Sequence, residues 1–82
     1  MAKLTIYNHH EHTMTIQVDP SANTYYLSKG EFITFILEGS SDNLVIDYFD
    51  YSDDFRALSV TPDDYYIERN GTKYHCDEYP GD

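Results

Sequence analysis

A single cysteine, Cys76, and no tryptophan are the first absences in the chain. One cysteine excludes an internal disulfide, the usual support of a small secreted domain, so a reducing compartment and a cytoplasmic location are expected. Basic residues are scarce: five Lys and Arg stand against fifteen Asp and Glu, for a net charge of −10. That balance leaves no cationic patch to displace counterions from phosphates, which argues against direct nucleic-acid binding. Four glycines occur with no Gly-x-Gly array, so no phosphate-cradling loop is present. Long apolar runs are missing as well. The first seven residues run straight into a strand pattern rather than the apolar core of a signal peptide, and no stretch has the length of a membrane span.

What the chain does contain is enough apolar matter to fold. Hydrophobic residues make up 40% and aromatics 16%, nine of them tyrosines, which is too apolar for a disordered chain. At 82 residues there is room for one domain, which buries about 60 to 65% of the surface of the unfolded chain. Residues 1–76 are expected to form that domain and 77–82 a polar, frayed tail. The charge is uneven. Residues 1–37 hold three acids and two bases, net −1; residues 38–82 hold twelve acids and three bases, net −9. The acidic half is either a solubility device or a surface that meets something basic.

The chain is organised around residues 31–38. Ile33, Phe35 and Leu37 fall on one face of an extended segment while Phe32 and Ile36 load the other; Gly30 and Gly39 confine the run to about two helical turns, and its Phe, Ile and Thr content fits a pleated surface better than a helix. A strand apolar on both faces belongs in the middle of a sheet. Residues 3–7 alternate with Leu4 and Ile6 inward, and residues 13–18 with Met14, Ile16 and Val18 inward. The short polar link between these two, residues 8–12, predicts an antiparallel hairpin. Residues 24–27 form a short strand, and residues 44–49 another. Residues 50–56 lose the alternation and read as a loop or a single helical turn capped by Ser52 or Asp53. A strand at 57–60 and a Pro62 turn follow. Asn70-Gly71 between two strand-like runs is the strongest hairpin signal in the chain. The pattern as a whole predicts an all-β fold, a small antiparallel β-sandwich or barrel of about seven to eight short strands spaced by roughly nine residues.

The strings Leu4-Thr5-Ile6-Tyr7-Asn8, Thr15-Ile16-Gln17-Val18-Asp19-Pro20, and Tyr26-Leu27 with Gly30-Glu31, resemble the layout of small bacterial all-β proteins of unknown function. Those have a first strand ending in Asn, a second ending in Glu-Pro, and a Leu-x-x-Gly-Glu turn before the central strand. The likeness covers about half the chain, with Asp19 where the acid is usually Glu. It implies a fold and no site residue.

Three constellations could carry chemistry. His9, His10 and His12 offer imidazole nitrogens to zinc, nickel or copper, with His10 and His12 on one side of an extended segment. They lack the helical His-Glu-x-x-His spacing, and a polar hairpin loop explains them as well. Cys76 adjoins His75, yet neighbours along a strand point to opposite faces, which removes a thiolate–imidazolium pair and with it nucleophilic catalysis. Carboxylate pairs drawn from Asp47, Asp50, Asp53, Asp54, Asp63 and Asp64 lack the desolvated pocket that a general acid needs, and residues 50–54 lack the rest of a calcium loop. Beside these three stands the interleaving of acids with rings in residues 47–55 and 63–68, where Asp47, Asp50, Tyr51, Asp53, Asp54, Asp63, Asp64 and Tyr66 have the composition of a protein-binding face. Solvated acids over a core filled by tyrosines is the plain alternative.

The sequence therefore predicts a non-enzymatic, cytoplasmic protein-interaction module of bacterial or phage type, without cofactor and without a membrane partner, whose acidic half engages a basic protein surface. A homodimer is compatible with it. A phage-type inhibitor that takes the place of nucleic acid in a basic groove of a host nuclease is the second reading, and a small metal-binding module through His9, His10 and His12 the third.

Overall fold

A computed structural model describes residues 2–19, 23–37, 45–52, 55–61 and 65–79; for residues 45–52 and 59–61, as for Ala2 and Asp19, it describes the backbone course. Eight strands are present among them: β1 Ala2–Tyr7, β2 Met14–Asp19, β3 Asn23–Leu27, β4 Phe32–Leu37, β5 Val45–Ser52, β6 Phe55–Thr61, β7 Tyr66–Arg69 and β8 Thr72–His75. They form two four-stranded sheets, ordered β1-β4-β7-β8 and β3-β2-β6-β5. Ile6, Ile33, Phe35, Leu37 and Ile67 of the first pack with Met14, Ile16, Val18, Tyr25, Leu27 and Leu58 of the second in one buried cluster. The chain is all-β, and the two sheets make a sandwich rather than a closed barrel.

β4 is the internal strand that its sequence demands, paired with β1 on one side and β7 on the other. Ile33, Phe35 and Leu37 are fully buried and Ile36 nearly so on the opposite face. Phe32 departs from the expected two-sided burial: it is 49% exposed, and its ring lies parallel to that of its cross-strand neighbour Tyr7. The outer face of this sheet is therefore apolar at one end and open at the other.

Three features of the organisation differ from the sequence expectation. First, β1 and β2 are not a hairpin. β1 pairs with β4 and β2 with β3 and β6, so residues 8–13 cross from one sheet to the other. Both strands aim their alternate apolar residues at one core, and alternation alone does not tell whether they do so side by side or face to face. The crossing is held by Asn8, whose buried side chain donates to the carbonyls of His12 and Leu27 at 2.9 Å each and accepts from the His10 amide at 2.9 Å. Its backbone bonds Glu31 and Gly30, the latter at φ +84°. Every polar group of Asn8 thus has a partner, as burial requires.

Second, the segment read as a loop or helical turn, residues 50–56, is mostly strand. β5 runs on to Ser52 and β6 begins at Phe55, with a register shift between Asp50 and Ser52 that leaves Tyr51 as the extra residue of a bulge. A bulge breaks the period of two, which is why the alternation dissolves in the sequence while the strand continues. Third, the sandwich is not wholly antiparallel: β2 and β6 run parallel, joining the hairpins β2–β3 and β5–β6 side by side. The Asn70-Gly71 hairpin is as expected, with φ of +54° and +80° at its two central residues. The Pro62 turn lies outside the described residues.

Candidate functional site

The two sheets meet along two flanks, which differ in kind. On one, β8 and β7 face β3. Arg69, buried on β7, reaches across to donate to the Tyr26 carbonyl at 2.6 Å and to the Tyr79 hydroxyl at 2.7 Å, with Glu31 at 3.5 Å. Tyr79 sets its ring edge-on against Tyr25 and Tyr74, so the tail expected to fray packs back on the core as far as this residue. Beneath it the Tyr25 and Tyr65 hydroxyls share a 2.7 Å hydrogen bond, and Asn23 donates to Tyr65 at 3.0 Å. Burial, reinforced by the neighbouring Tyr65 hydroxyl, pushes the Tyr25 phenol well above the ordinary tyrosine range. A cleft of about 150 Å³ remains, lined by Asn23, Thr24, Tyr25, Cys76 and Tyr79.

At the rim of this flank His75, Cys76 and Asp77 bring three ligating atoms within 4.8 Å of one another. β8 ends at His75, so Cys76 starts a turn and the opposite-faces argument for adjacent strand residues does not apply: the thiol lies 3.9 Å from His75 Nδ1. That separation is long for proton transfer. Nδ1 instead accepts the Asp77 amide at 3.2 Å, and Asp77 holds its carboxylate out in solvent, 84% exposed. The arrangement is that of a turn closing on its own donors and acceptors.

On the other flank β1 and β5 approach each other. A groove of about 410 Å³ opens there, lined by Leu4, Thr5, Ile6, Tyr7, His9 and Arg56. Arg56 is 7% exposed and stands on β6 between Ile16 of β2 and Asp50 of β5 in register, on the same face as the core residue Leu58. Its guanidinium donates to the Phe55 carbonyl at 3.1 Å. The exposed His9 ring stacks on Tyr7 at 4.3 Å, and Tyr7 on Phe32 at 6.0 Å, so an aromatic strip runs along the outside of the groove.

The residues singled out from the sequence fall as follows. Asp47, Asp50 and Tyr51 lie on β5, the edge strand of this open flank. Tyr66 lies on β7, half-buried, under the Lys73 ammonium at 4.7 Å and edge-on to His75, away from that flank. Asp53, Asp54, Asp63 and Asp64 lie outside the described residues. The metal set His9, His10 and His12 is not brought together: among the described residues the three-ligand group is His75, Cys76 and Asp77. Only the backbones of His10 and His12 are enlisted, by Asn8, and the His9 ring joins the aromatic strip. Two buried arginines escaped the sequence reading. For Arg56 the signal was present: it shares the period-two face of Leu58, and it becomes visible once β6 is extended back to Phe55.

No family model matches the chain, and comparison with curated proteins and with solved structures finds no match.

Proposed function

We propose that this protein is a non-enzymatic interaction module that presents its acidic half to a basic protein surface. The observation that carries the reading is the place of β5: the strand that opens the acidic, tyrosine-rich stretch is an edge strand, beside a groove, on the flank that no aromatic staple closes among the described residues. A net charge of −9 over residues 38–82 supplies a long-range field that steers a cationic partner and speeds encounter. Edge strands with acids also resist indiscriminate pairing with other strands, which leaves recognition to charge and side chains.

The experiment is affinity capture from a bacterial lysate with the wild type and with a variant in which Asp50, Asp53, Asp54, Asp63 and Asp64 are replaced by Asn or Ser, taking the charge from −10 to −5. The wild type retains a basic protein that elutes as salt rises from about 0.05 to 0.5 M, and the variant binds the purified protein more slowly with a dissociation rate little changed. Equal association rates for the two at low salt would leave the acids as a solubility device and defeat the reading.

A further inference from the structure

The groove beside β1 has a feature that a small-molecule pocket does not need. Its wall includes four consecutive strand residues, Leu4 to Tyr7. Side chains of successive strand residues point to opposite faces, so a cavity touched by all four lies against the edge of the strand. That edge carries hydrogen-bonding groups. The Asn8 amide and carbonyl bond toward the β4 side, and alternation along an antiparallel strand turns Ile6 and Leu4 the same way, which aims the N–H and C=O of Lys3, Thr5 and Tyr7 outward. Two of these three residues, Thr5 and Tyr7, line the groove, with Arg56 inside it and Lys3 just beyond.

The geometry points to a strand-addition site: an extended acidic peptide of about five residues pairs with the edge of β1 that no described strand occupies, and an Asp or Glu that stands opposite Leu4 or Ile6, and so shares their inward face, meets the Arg56 guanidinium. Residues two positions to either side of that acid turn to the same inner face and are apolar. Leu4 to Tyr7 spans about 10 Å, most of the length of such a segment. A guanidinium matches a carboxylate in planar, two-point fashion, and burial at 7% exposure strengthens the pair. The acid in register with Arg56, Asp50 on β5, competes with such a ligand. This site is independent of the acidic-face reading: it takes a partner of opposite charge and is tested without a basic protein.

The probe is an acetylated and amidated peptide, Thr-Val-Thr-Asp-Thr-Val-Thr, compared with its Asp-to-Asn version and with one N-methylated at the alternate amides that would face β1. Amide exchange and chemical shifts are followed by NMR in the full chain. In the free protein Thr5 and Tyr7 exchange fast and Leu4 and Ile6 slowly; saturating peptide slows Thr5 and Tyr7 by about ten-fold or more. The Asn peptide binds about ten-fold more weakly, the N-methylated one not measurably, and Arg56→Gln erases the difference between Asp and Asn. If Arg56→Gln fails to fold, the peptide pair on the wild type carries the same test. Asp50→Asn, which removes the acid opposite Arg56 in register, tightens binding of the Asp peptide. Equal affinity for Asp and Asn peptides, or undiminished binding of the N-methylated one, overturns the proposal. So does a response to octanoate or succinate at Arg56 and His9 with no protection of Thr5 and Tyr7 by any peptide, which would mark a small-anion pocket instead.

Discussion

Two buried arginines, one on each flank of the sandwich, stand in contrast. Arg69 ties its sheet to the other one, through the Tyr26 carbonyl and the Tyr79 hydroxyl, and Tyr25, Tyr74 and Tyr79 close over it. Arg56 bonds the carbonyl of its own neighbour Phe55 and lines an open groove. The same side chain is thus a clamp between the sheets on the flank where aromatic rings close over it, and part of a groove wall on the other, where no described ring covers it.

Both flanks depend on the core between them, and its loss carries the largest expected effect. Phe35→Ala is expected to cost about 3–5 kcal/mol, because Phe35 is fully buried and contacts the rings of Tyr25 and Tyr65. Unchanged urea midpoints would contradict the central place of β4. Arg69→Met is expected to cost about 2–4 kcal/mol, since it strips a buried carbonyl and a hydroxyl of charged donors; Arg56→Gln should cost clearly less in the same denaturation series. Parity between the two would erase the distinction between clamp and groove. Tyr79→Ala should lose about 1–3 kcal/mol through its contacts with Tyr25 and Tyr74, whereas a frayed tail would lose nothing.

The sealed flank also carries a pH signature. Below pH ~10 Tyr25 is protonated in both the folded and the unfolded chain, and its titration does not affect stability. Above it the unfolded chain ionises while burial keeps the folded phenol neutral, so stability falls as pH rises, by up to about 1.4 kcal/mol per pH unit. Urea midpoints taken between pH ~9 and ~11 should show this slope, and Tyr25→Phe should flatten it. The smallest effect expected is that of replacing His9, His10 and His12 together by Ala. Asn8 holds the backbone of that loop, so thermal stability should shift by less than about 1 kcal/mol. A large loss in the triple variant, together with zinc that stabilises the wild type and not the variant, would return these side chains to the status of ligands.

Much of the fold is legible in the residues themselves. Ile33, Phe35 and Leu37, Tyr25 and Leu27, and Met14, Ile16 and Val18 each keep the period of two and are all buried. Asn70-Gly71 announces its turn because two successive positive φ values exclude most other residues. What is not legible is which strand lies beside which. Leu4 and Ile6 look alike whether β1 pairs with β2 or faces it across the core, and the deciding residue, Asn8, reads as loop until its side chain is seen buried between segments 19 residues apart. The bulge at Tyr51 hides the end of β5 for a similar reason: one extra residue reverses the phase of everything after it. The candidate site was half visible. Charge and tyrosine content marked the acidic stretch, while the groove depends on Arg56 and β1 meeting across the sandwich, which no local pattern encodes.

The proposed recognition falls on the flank that, among the described residues, no aromatic staple closes. It is tested most directly by mapping backbone amide shifts when the isotope-labelled chain is mixed with the basic protein that it captures. Shifts are expected along β5, while Asn23–Leu27 and Thr72–His75 stay in place; shifts concentrated on those two segments, with β5 unmoved, would contradict the proposal.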